Sequence, residues 1–344
     1  MRRLVSRRWF VGRGVVAAVL GRLAAVVGAE ARAAKPPANP FAYDITKFRT
    51  IDPKWLHYQQ VAQFKVPRSE ARRVAIGPDQ NLYVSAGNYV CVLNTAGQRL
   101  NEFALPSPVR CVAVAGDGLV YVSLRDHLEV LDSKGQRRAS WESPNKKTWF
   151  TGLAVGDNDL FAADSGNRVV LRYDRSGKLL KRIGEKNPDR NIPGFVLPSP
   201  FLDVELHPDG LLRVNNPGRH QVLAFTVEGD MELAWGKPTM AIEGFCGCCN
   251  PIALAILPGG RIVTCEKGLP RVKVYSVRGE LESVVAGPAT FADNAKACDP
   301  TDCTTGGLDA VADRAGRIYV LDPVANDLRV FARRDGPTAS SQAS

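Results

Sequence analysis

Six of the chain's eight cysteines fall in its second half, in a pattern that could do chemistry: Cys246-Gly-Cys248-Cys249, Cys265, Cys298 and Cys303. Cys246 and Cys249 have C-x2-C spacing and Cys298 and Cys303 have C-x4-C spacing, so these four could give thiolates to a tetrahedral zinc or an iron–sulfur cluster. In an oxidising compartment the same six, an even set, could instead form disulfides, with the three loop cysteines reaching Cys265, Cys298 and Cys303. One sulfur cannot do both, and the sequence leaves both open. Vicinal Cys248 and Cys249 do not bridge each other without strain, so their partners are expected elsewhere. Cys91 and Cys111 lie inside apolar runs and read as free, buried thiols.

Histidine chemistry is thin. His57, His127, His207 and His220 are scattered along the chain, and no G-x-S-x-G elbow is present. Neither a histidine-rich metal site nor a serine hydrolase is expected from these residues.

The elements that must position the cysteines repeat. Apolar pairs followed by a polar turn and a glycine end at Gly97, Gly135, Gly177, Gly229, Gly279 and Gly336. Each glycine suits a hairpin that needs positive φ. Two further strand-like runs precede each pair, for example 74–76 and 81–84, or 204–206 and 212–214. Four short strands per unit, repeated six times, predict an all-β, six-bladed β-propeller. The sixth unit stops after its third strand, while 59–65 is an orphan strand ahead of the first unit. The N-terminal strand is therefore expected to complete the last blade and close the ring.

Asp164-Ser-Gly-Asn167-Arg-Val-Val-Leu-Arg-Tyr173 and Asp322-Pro-Val-Ala-Asn326-Asp-Leu-Arg-Val-Phe331 resemble the Asp-x-x-Asn-x-Val-x-x-Phe core of NHL repeats. The second copy has one extra residue between Asp and Asn. The resemblance covers 58–336 and implies the propeller fold, in a family of protein-binding modules, extracellular sensors and some lyases. Lactonase-like propellers place oxygen ligands for a divalent ion at the entrances of inner strands, where Asp203, Asn250 and Asp309 stand here. That implies a divalent-ion site, suited to calcium or magnesium, and a metal-dependent lyase or lactonase as the alternative function. Arg72 and Arg73 occupy the matching entrance of the first blade, where a glutamate would be expected.

Propeller topology puts the loop entering each inner strand on one face, called the top, together with the loop between second and third strands. Long entry loops at 184–200, 236–251 and 286–306 make this the expected working face, and they carry most of the clustered cysteines.

The formal charge of +10 suggests nucleic acid until the arginines are located. Seven of them precede residue 35, and without that segment the charge is +4, with no basic and aromatic stripe, so a nucleic-acid partner is not expected. Ser6-Arg7-Arg8-Trp9-Phe10 resembles a twin-arginine export motif, followed by an apolar stretch that Arg13 and Arg22 keep too short to span a bilayer. The expected layout is a signal at 1–34, a lead at 35–57, the propeller at 58–336 and a disordered tail at 337–344. The expected product is a periplasmic or secreted monomer acting as a binding or electron-transfer module, with a protein or small-molecule ligand on the top face.

Overall fold

The computed structural model describes residues 46–125, 127–297 and 306–334. The export segment, Cys298, Cys303 and the C-terminal tail lie outside the described residues. Among the described residues twenty-four strands form six antiparallel sheets of four. Blade one runs Ala71–Ile76, Leu82–Ala86, Tyr89–Leu93 and Arg99–Ala104, and the next four blades repeat that order. Blade six is completed as expected: Asp309–Ala312, Ile318–Asp322 and Asp327–Arg333 are joined at the outer edge by Tyr58–Lys65. Among the described residues no helix is long and apolar enough to cross a membrane.

Middle strands are buried on both faces. Leu82–Ala86 and Ile318–Asp322 are buried at every position, which their runs of Val, Leu, Ile and Tyr allow. Outer strands such as Arg99–Ala104 are mostly exposed and polar. One apolar cluster fills each junction between neighbouring blades, the closing junction between blades six and one included.

The hairpin glycines show how the ring is locked. Gly97, Gly135, Gly177 and Gly279 all have φ between 79° and 90°. Each also lies under an aromatic ring from the preceding blade's outer strand: Phe64, Phe103, Trp141 and Trp235, in that order. A Cβ at any of these positions would overlap the ring, so φ and space both demand glycine. Phe64 belongs to the N-terminal strand, so the closing junction repeats the contact made elsewhere.

Strand pairing sets the channel. The inner strands end their ladders at Ile76, Val114, Val155, Leu206, Ile256 and Ala312. Three residues earlier in each lie Arg73, Cys111, Gly152, Asp203, Ala253 and Asp309, an upper ring. One residue earlier lie Ala75, Ala113, Ala154, Glu205, Ala255 and Val311, a lower ring two residues down each strand on the same side.

The NHL-like residues are clamps between loops. Asp164 accepts the amide hydrogens of Trp149 and Asn167 (2.9 and 3.1 Å), and Asn167 Nδ2 donates back to it at 2.6 Å. Asn326, at φ 52°, ties the entry of blade one: its Oδ1 accepts from Ala71 N, and its Nδ2 donates to Val66 O and Arg68 O.

Candidate functional site at the channel mouth

The upper ring does not form the expected metal site. Arg73 reaches across the channel from blade one, donating to Asp203 Oδ1 on blade four at 2.9 Å and to Asp309 Oδ1 on blade six at 2.7 Å. Its Nε also donates to Thr151 O at 2.8 Å. The remaining carboxylate oxygens accept backbone N–H groups at the free edges of the next blades, Leu254 N on Asp203 and Val74 N on Asp309, both at 2.8 Å. The guanidinium thus stands where a cation would sit, and both carboxylates are satisfied. Burial nevertheless pushes Asp203 up to about 6, against the pull of Arg73 and with the push of Asp309.

Asn250, expected as the third ligand, turns to its own loop. Its Nδ2 donates to Cys246 O at 2.6 Å and Lys267 O at 2.9 Å, and its Oδ1 accepts Lys267 N at 2.9 Å. The three residues therefore form no common donor set, and calcium does not fit them. Among the described residues no group of three or more His, Cys, Asp or Glu is placed to hold a metal. Gly152 belongs to the arrangement by its lack of a side chain, because a Cβ there would strike Asp203 Oδ1.

The cysteines divide. Cys246 is buried, its Sγ 3.9 Å from Glu266 Oε2, and burial together with that carboxylate pushes the thiol up to about 11. Cys248 Sγ and Cys249 Sγ lie 3.3 Å apart, close for thiols but not bonded. Cys265, expected to bridge to the loop, carries an unbridged buried thiol in the core between blades five and six, where burial and then Asp309 and Asp203 raise it. Cys91 and Cys111 are free and buried, as expected.

Ionic anchors that sequence reasoning missed hold the cysteine loop. Glu266 is fully buried between Arg271 (Oε2 to Nη2, 2.6 Å) and Lys273 (Oε1 to Nζ, 2.9 Å). The two cations donate onward to carbonyl oxygens of the loop, Arg271 to Met240 and Gly244, Lys273 to Ile242 and Gly244, while Tyr275 Oη donates to Glu243 O. Lys273 and Tyr275 alternate along the strand Val272–Tyr275 of blade five, and Arg271 immediately before it continues the alternation, so all three lie on one side. His220 Nε2 bonds Gly247 O at 2.6 Å and fixes the loop from blade four. Burial lowers Lys273 to about 8, despite Glu266.

The open part of the top face is cationic and aromatic. Arg72, Arg110, Trp149 and Phe201 rim a cavity of about 310 Å³ above the Arg73 clasp. A larger one, about 620 Å³, opens beside it and is lined by Arg110, Arg125, Lys146 and Lys147, with Glu142 the one carboxylate among its described lining residues. Arg110 Cζ stacks 4.4 Å from the centre of Trp149, whose side of the residue is 42% exposed, a high value for a tryptophan. Burial, with Arg72 and Arg125 nearby, depresses the Arg110 guanidinium. Among the described residues no carboxylate pairs with Arg110 or Arg125, and Arg72 has only Glu70 at 4.0 Å. Neither Arg110 nor Trp149 stood out in the sequence; the available signal was their position in the entry loops of blades two and three.

No family model and no curated protein matches this chain. Solved structures do share its fold. A streptogramin B lyase is 14% identical, with a TM-score of 0.56 over 81% of this chain and 99% of its own. Virginiamycin B lyase from Staphylococcus aureus is 12% identical, with a TM-score of 0.52 over 80% and 99%. A WD40 β-propeller domain is 13% identical, with a TM-score of 0.54 over 81% and 98%. At these identities the likeness shows the β-propeller fold alone, shared by lyases and a WD40 domain.

Proposed function

We propose that this chain is an exported binding propeller that takes an organic anion with a flat apolar part at the mouth of its channel. The observation that carries the reading is the group of Arg72, Arg110 and Arg125 beside the exposed face of Trp149, with no carboxylate pairing Arg110 or Arg125 among the described residues. Unneutralised guanidinium groups next to an apolar face suit a carboxylate, sulfate or phosphate joined to a ring. Export rests on the Arg7-Arg8 motif and is tested by Arg7→Lys with Arg8→Lys, which should leave precursor in the cytoplasm.

The metal-dependent lyase or lactonase alternative loses its support where Arg73 takes both carboxylates. The electron-transfer reading depends on Cys298 and Cys303 joining the loop thiols, and a free-thiol count with metal analysis tests it.

The binding test is calorimetric titration with 2-naphthoate, alongside 2-naphthylmethylammonium as its opposite in charge. The anion should bind and the cation should not. Arg110→Ala should weaken the anion roughly 10- to 100-fold, the loss expected for one charged hydrogen-bond partner. Equal binding of the two probes, or an unaltered Arg110→Ala titration, would contradict the proposal.

A further inference from the structure

The channel below the Arg73 clasp is a different environment. Its lining from five of the six inner strands encloses about 180 Å³, with Ala75, Ala113, Ala154 and Val311 in the lower ring. Against these small apolar groups stands one ionisable side chain, Glu205. Space of that size equals about six waters at about 30 Å³ each. Small residues at the other ring positions leave the room open, and Arg73 bars the channel on the top side. The lower channel is therefore reached from the bottom face.

The Glu205 carboxyl group has no hydrogen bond or ion pair among the described residues. The charged groups facing it are Asp203 and Asp309 above and Arg73 between them. Both aspartates are committed to Arg73 and to backbone N–H groups. With all three carboxylates ionised, the set holds three negative charges against one positive. Burial first, then the two aspartates, pushes Glu205 well above the ordinary carboxylate range, which favours its neutral form while the channel is empty.

We infer that the lower channel is a binding site for a slender primary ammonium, its head on the Glu205 carboxylate and its alkyl chain along the alanine walls. A cation there replaces the proton on Glu205 and offsets the excess negative charge. The inner strands have no partner on the channel side, so their edge carbonyls complete the three acceptors an ammonium needs. A calcium ion is poorly served, because it takes six to eight oxygens and Glu205 is the one uncommitted carboxylate. This site is separate from the mouth and does not depend on the anion reading.

The test uses the full chain and n-butylammonium as probe, with n-butanol and calcium as controls, read by calorimetry near pH 7 in two buffers of different ionisation enthalpy. Butylammonium should bind with release of protons, and butanol and calcium at least tenfold more weakly. Glu205→Gln, nearly the same in shape, should weaken butylammonium at least tenfold and abolish the proton release. Ala113→Val, which fills the tube and keeps the acid, should weaken it as well. Titration of 2-naphthoate should be unchanged in both variants, which separates failure here from failure at the mouth. Butylammonium binding that survives Glu205→Gln, tighter binding of calcium, or no binding of the amine would overturn the inference.

Discussion

Two buried ion sets of opposite construction hold this propeller's interior. At the channel, one cation is shared by two carboxylates: Arg73 between Asp203 and Asp309. In blade five, one carboxylate is shared by two cations: Glu266 between Arg271 and Lys273. The first joins blades one, four and six across the axis, while the second stays within one blade and ties a loop to its sheet. The difference explains why the expected oxygen site is taken at the first place and what holds the cysteine loop at the second. Carboxylates gathered at strand entrances already have their cation, and the cysteine loop is fastened by charged side chains and carbonyl groups rather than by its described sulfurs. Buried ion pairs need not add net stability, but removing one member leaves an uncompensated charge.

The largest effect should come from breaking the channel set. Arg73→Met leaves Asp203 and Asp309 buried without their cation and should cost about 3–5 kcal/mol, read by denaturant unfolding. The loss should shrink as pH falls toward about 6, because without Arg73 the Asp203 carboxyl takes up its proton at a higher pH than in the native protein. A pH-independent loss would mean that the aspartates stay ionised without Arg73.

Glu266→Gln sharpens the contrast by inverting the sign. It strands two cations that keep their carbonyl partners, so it should cost less, about 1–3 kcal/mol. Lys273 sits at about 8 even with Glu266 present, below its unfolded value, so it destabilises the fold while charged. Without Glu266 the Lys273 ammonium loses its proton at a lower pH still, so the deficit should shrink as pH rises toward 8, opposite to Arg73→Met. Parallel pH profiles for the two variants would break the comparison.

Glu205 in the native protein adds a smaller slope. Its folded pKa is raised, so the folded state holds a proton that the unfolded chain gives up, and stability falls as pH rises above the ordinary carboxylate range. Thermal melts of Glu205→Gln should lose this part of the decline. An effect no larger than that of Glu266→Gln, about 1–3 kcal/mol, is expected from Gly152→Ala, where the added methyl meets Asp203 Oδ1.

The fold was legible because it is written locally. Period-two apolar runs, hairpin glycines and a missing fourth strand each constrain a few neighbouring residues, and together they give six closed blades. The site was legible only in part. Asp203 and Asp309 are recognisable as polar residues at strand entrances, but their partner lies 130 and 236 residues away in sequence. Only the register of six inner strands brings Arg73 between them. The lower ring has the same origin: four alanines, a valine and Glu205 are unremarkable singly and become a tube only when the strands are aligned. Arg271, Lys273 and Tyr275 read as an ordinary alternating strand, and nothing local says that their inward face is the polar one.

The central claim, that the mouth holds an organic anion while the channel's own guanidinium occupies the oxygen site below it, is tested most directly by one crystal structure grown with 2-naphthoate and calcium together. The account predicts the carboxylate against Arg110, the rings against Trp149, and Arg73 still bonded to both aspartates. Calcium on Asp203 and Asp309 with Arg73 displaced, or naphthoate bound away from the mouth, would contradict it.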